Sequence, residues 1–75
     1  MTDTRRFTAV IYREDAGYVA LCPELDLASQ GDSIEDASTN LREAVELFLE
    51  TASPSEVASR MHDEVYVAAL ELRAG

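Results

Sequence analysis

The chain has 75 residues, 47% of them hydrophobic, with three glycines and two prolines, which describes one domain over 1–75 with a single small core. Fifteen Asp and Glu against six arginines and no lysine give a formal charge of −9, which disfavours a grip on nucleic-acid phosphate and suits either a basic partner or plain solubility. A lone cysteine excludes an internal disulfide and a cysteine-rich zinc site, no apolar run reaches the ~20 residues of a membrane helix, and the polar start Met1–Arg6 has no apolar signal stretch behind it, so a reducing cytoplasm is the expected compartment.

Phe7 to Tyr12 is rich in β-branched and aromatic residues and predicts a first strand. Glu14-Asp15-Ala16-Gly17 is a short polar loop whose terminal glycine suits a positive φ, and Tyr18 to Cys22 is a second apolar strand, so the two form a hairpin. Pro23 has no ladder donor and closes that strand. Glu24 to Gln30 alternates and predicts a third strand, with the carboxylates of Glu24 and Asp26 on one face.

Ser33 is placed to cap a helix, with Asp36 three residues on and further acids in the first turn. At ~100° per residue, Ala37, Leu41, Ala44, Val45, Phe48 and Leu49 share one apolar stripe, begun by Ile34, opposite Glu35, Thr39, Arg42, Glu43, Glu46 and Glu50. Leu47 lies off the stripe. Ser53-Pro54-Ser55-Glu56 repeats the start grammar and predicts a short second helix from Pro54 to about Met61. Val65 to Leu72 alternates with apolar residues on both sides, the pattern of a final, central strand, although Ala68 to Arg73 are also good helix formers.

The predicted class is therefore α+β, in the order β-β-β-α-(short α)-β, with one antiparallel-rich sheet and helices on one of its faces. So small a core invites a second copy to cover the other face, and a homodimer or higher homo-oligomer is expected.

No constellation predicts catalysis. His62, the only histidine, lacks nitrogen or sulfur partners for a metal and reads as structural; Cys22, in an apolar run, reads as a buried, inert thiol. The acid pairs lack the rhythm of a calcium loop, and the isolated glycines form no phosphate loop or dinucleotide fingerprint. No metal, cofactor or catalytic residue is expected.

The run Gly17-Tyr-Val-Ala-Leu-Cys-Pro-Glu-Leu, then Ser29-Gln-Gly-Asp-Ser-Ile-Glu-Asp-Ala and Asn40-Leu-Arg-Glu-Ala-Val-Glu-Leu, resembles the N-terminal domain of the HicB antitoxin family. The likeness covers residues 7 to about 50, with Val65 to Leu72 matching the family's later strand. It implies a degenerate RNase H-like fold and the binding of a small basic ribonuclease toxin, HicA, whose active site the domain masks. Two departures stand out: residues 1–75 hold no counterpart of the DNA-reading extension of longer members, so operator binding by these residues alone is not expected, and Asp26-Leu27-Ala28 occupies a bend that often holds glycine.

The candidate partner-binding residues are Glu14, Asp15, Glu24, Asp26, Glu43 and Glu46, as counter-charges to toxin arginines and lysines. Two rival readings stand beside this one. An orphan homo-oligomeric domain would serve a scaffold or small-ligand role with no toxin. A metal-dependent nuclease would need an aspartate mid strand one, where the chain reads Thr8-Ala9-Val10-Ile11.

Overall fold

The computed structural model describes residues 5–75, so the first four residues of the polar start Met1–Arg6 lie outside the described residues. Three strands, β1 (Val10–Glu14), β2 (Gly17–Cys22) and β3 (Leu27–Gly31), form an antiparallel sheet in the order β1-β2-β3. Two helices follow, α1 (Ile34–Thr51) and α2 (Pro54–Arg60). The class is α+β, as the residue patterns require.

Strand one runs later than its composition suggests. Arg13 and Glu14 pair with Tyr18 and Gly17 up to a two-residue turn, while the Phe7–Ala9 stretch is held by a side chain instead of a ladder. The positive φ of that turn falls on Asp15, at 53°, and Gly17 has none. Aspartate tolerates the left-handed region because its short polar side chain can bond locally. Gly17 is needed for space: a Cβ there would stand 3.0 Å from the Gly31 carbonyl oxygen on the neighbouring strand.

The third strand begins at Leu27, and Pro23–Asp26 is a turn. Proline stops the ladder, Asp26 adopts φ 54°, and Leu25 swings inward to complete burial. Glu24 and Asp26 consequently do not share a sheet face. Asp26 takes the left-handed conformation that a glycine would adopt at such a bend.

Both helix starts form as their sequences predict. The Asp36 N–H donates to Ser33 Oγ at 3.0 Å, and the Glu56 N–H to Ser53 Oγ at 3.2 Å with Pro54 opening α2. α1 lays Ala37, Leu41 and Val45 onto Ala20, Cys22 and Leu25, and Leu27, Phe48, Leu49 and Met61 seal the margin. Ile34, in the first turn, is exposed, and so is Leu47. The opposite sheet face carries Val10, Tyr12, Val19 and Leu21 and no helix covers it.

The expected final strand does not form. Val65 to Leu72 forms neither strand nor helix, with Tyr66 84%, Leu70 85% and Leu72 85% exposed. Its alternating, doubly apolar pattern needs a neighbouring strand and cover on both faces, and in this structure it joins neither edge of the sheet. The radius of gyration, 14.5 Å, exceeds the ~11 Å of a compact chain of this length, consistent with an outstretched tail.

Candidate functional site

The β2–β3 turn is tied down by two chain segments that reach it from opposite directions. Thr8 donates its N–H to Glu24 Oε1 at 2.9 Å and its hydroxyl to Oε2 at 2.6 Å. From the other side, the His62 N–H donates to the Glu24 carbonyl at 2.8 Å, and His62 Nε2 meets Asp26 Oδ2 at 2.9 Å. Arg60 donates to the Leu25 carbonyl at 3.3 Å while its guanidinium lies 5.4 Å from the Phe48 ring centre, which anchors α2 to α1.

Glu24 thus spends both carboxylate oxygens inside the fold. Burial alone would raise its pKa, but the two bonds from Thr8, with smaller help from the Cys22 thiol, outweigh that and hold the carboxyl below its ordinary range. Cys22 is 1% exposed and its Sγ donates to Glu24 Oε1 at 3.6 Å. Burial pushes this thiol's pKa up and the Glu24 charge adds to the rise, although a backbone bond from Leu25 opposes both, so it carries little thiolate at neutral pH.

A pH dependence follows. Because the Glu24 carboxyl titrates lower folded than unfolded, the clasp's contribution is present above its unfolded value near 4.5 and is lost as pH falls through the lower folded value. Removing the hydroxyl with Thr8→Val is expected to cost about 1 kcal/mol at neutral pH, and the difference from the parent should shrink in this acid window. Urea titrations at pH 7 and pH 3 check it; a gap that does not change between them contradicts the clasp.

The six candidate acids do not converge. Glu14 and Asp15 sit at the tip of the β1–β2 hairpin, where they border a recess with Asp32, whereas Glu24 and Asp26 lie beyond the far end of the strands. Five residues of strand separate these ends by about 17 Å. Glu43 and Glu46 are exposed on α1. There, Glu35, Thr39, Glu43, Glu46 and Glu50 recur at spacings of three or four, a mainly acidic stripe about 22 Å long that Thr39 interrupts and Arg42 borders. Among the described residues no three His, Cys, Asp or Glu are grouped to hold a metal ion.

A second feature was not apparent from composition. The lead-in to β1 and the flank of α1 enclose a groove of about 700 Å³. Leu41, Val45 and Leu49 line it, as do Arg5, Arg6 and Arg42, and Glu46 is also on its wall. Three of the six arginines thus gather on an otherwise acidic molecule. The only local signals were the Arg5-Arg6 pair and a lone arginine on the polar side of α1; their meeting depends on how α1 lies over β1.

No family model matches the chain, and no solved structure does. A UPF0150 protein of Helicobacter pylori is 37% identical over 65 residues, covering 85% of this chain and 90% of its own. The chain belongs to the UPF0150 family. Two further UPF0150 proteins, both from Synechocystis, are 45% identical over 47 residues and 47% identical over 45 residues. The chain spans about 60% of the length of each of these two. Among the described residues of this UPF0150 chain no helix is long and apolar enough to cross a membrane.

Proposed function

We propose that the chain is an antitoxin-like protein that binds and masks a small basic ribonuclease of the HicA type in the cytoplasm, without catalysing a reaction. The carrying observation is an acidic surface that its own cations do not neutralise: among the described residues the only contact of this kind is His62–Asp26, an ion pair only when the histidine is protonated, and no arginine lies against a carboxylate. A surface that grips RNA phosphate is cationic, and an anionic stripe of comparable length competes for it and steers the encounter. The Glu35–Glu50 stripe on α1 is the natural docking face, with Glu43 and Glu46 at its centre. Glu14 and Asp15 extend the acidic surface at the hairpin tip; Glu24 serves the fold. The centre of β1 is Tyr12, so the sheet offers no carboxylate where a nuclease of this general build would place one.

Coexpression with a Lys- and Arg-rich protein from the adjacent reading frame tests this. The two are expected to copurify, and Glu43→Lys with Glu46→Lys should slow association about 10-fold at low salt, an effect that fades toward physiological ionic strength. Stopped-flow association rates read it. Failure to copurify, or rates indifferent to salt, would overturn the proposal.

The uncovered sheet face of Val10, Tyr12, Val19 and Leu21 favours a second reading, an orphan homo-oligomer with a scaffold or small-ligand role. An operon with no basic neighbour of similar size would support it.

A further inference from the structure

We propose that the C-terminal segment Val65–Leu72 of one copy pairs with β1 of a second copy and fills the arginine-rimmed groove beside it, and that the second copy returns the same contact. Four observations on separate parts of the chain meet here. β1 lies at the edge of the sheet, so one side of its backbone donors and acceptors is unpaired. The tail forms neither helix nor ladder with its own sheet, while it exposes Tyr66, Leu70 and Leu72 almost fully. Its eight residues equal in length the Phe7–Glu14 stretch that forms β1 and its lead-in.

Charge supplies the fourth. Asp63, Glu64 and Glu71 flank and punctuate the tail, and Arg5, Arg6 and Arg42 line the groove. Period-two alternation then divides the work: Tyr66, Leu70 and Leu72 lie on one side, toward the floor of Leu41, Val45 and Leu49. Val65, Val67 and Ala69 lie on the other and enlarge the apolar face of Val10 and Tyr12. His62, fixed at the β2–β3 turn, is the point from which the tail leaves its own body. A reciprocal exchange closes as a two-fold dimer and pairs the β1 edge of both copies at once. Glu46 lies both on the wall of this groove and on the acidic face of α1, so the tail contact borders whatever that face binds.

Sedimentation of the full chain should give twice the 8.2 kDa chain mass at ~100 μM, and a chain ending at Asp63 should sediment as a monomer with unchanged far-ultraviolet dichroism from its helices. Leu70→Asp in the full chain should likewise dissociate the dimer and leave α1 and α2 folded. Mixing Ala9→Cys chains with Ala68→Cys chains under mild oxidation should yield a disulfide between the two different chains. A monomeric full chain, a dimer that survives loss of the tail, or an Ala9→Cys/Ala68→Cys double variant that closes only within one chain would each overturn the exchange. The second outcome would move the interface to the uncovered sheet face.

Discussion

Gly31→Ala is expected to lower stability by about 3 kcal/mol, a large fraction of what a domain of this size possesses. The reason is close approach, since Gly31 has no positive φ. A Cβ at this position would stand 2.5 Å from the Ala37 backbone nitrogen and 2.7 Å from the Asp36 carbonyl carbon. Those atoms belong to the first turn of α1, which is pinned by the Ser33 cap and by the bond from the Ala37 N–H to the Ser33 carbonyl at 2.9 Å. Relief therefore requires the whole helix to lift, which would pull Ala37 and Leu41 away from the sheet they cover. Thermal melts should show a drop of roughly 12–24 °C, at about 4–8 °C per kcal/mol for a domain of this size. Gly17→Ala is the control: its nearest contact is one carbonyl oxygen at 3.0 Å, and a milder loss of about 1 kcal/mol is expected. Equal melting of the Gly31 variant and the parent would show that α1 does not sit on β3 as described.

The legible parts of this chain are those where short-range grammar decides the outcome. Ser33 and Ser53 cap their helices because the bonds they accept lie within three residues, and the stripe from Ala37 to Leu49 becomes the buried side of α1 because helical spacing alone places it there. Alternation was less decisive. Glu24 to Leu27 alternates as a strand does, yet Pro23 and the left-handed Asp26 make it a turn, and the inward fall of Leu25 is compatible with either pattern. Val65 to Leu72 shows the opposite failure, since a strand-like pattern states what a segment will pair with in kind but not whether a partner exists in the same chain.

The candidate acids divide along the same line. Residue type alone treats all six as equivalent surface charge. Contacts across 16 residues to Thr8, and across 36 to His62, separate Glu24 and Asp26 from the others, and of the two only Glu24 spends both carboxylate oxygens inside the fold, because the Asp26 side chain stays 68% exposed. Glu43 and Glu46 keep their carboxylates in solvent on a rigid helix, where a field is best presented to an approaching cation. The gathering of Arg5, Arg6 and Arg42 is likewise a tertiary product, because Arg6 and Arg42 are 36 positions apart in the chain.

Leu25→Ala is expected to cost about 3–4 kcal/mol and to undo the clasp around the β2–β3 turn together with the core. Leu25 is 0% exposed and is the largest fully buried side chain, so its truncation forfeits the transfer energy of the lost carbons and leaves a void between α1 and the sheet. Its neighbours in sequence hold the N-terminal lead-in and His62, and its own carbonyl accepts from Arg60. The side chain thus positions the turn on which Thr8, α2 and the departure point of the tail all depend. Hydrogen exchange on this variant should show the Thr8 and His62 amides losing protection along with those of α1, as one cooperative unit. Leu47→Ala on the exposed side of α1, where 60% of the residue already meets solvent, should change stability by less than about 0.5 kcal/mol. If the two leucine variants melted alike, the inward turn of Leu25 would be wrong, and with it the reason that Glu24 serves the fold instead of a partner.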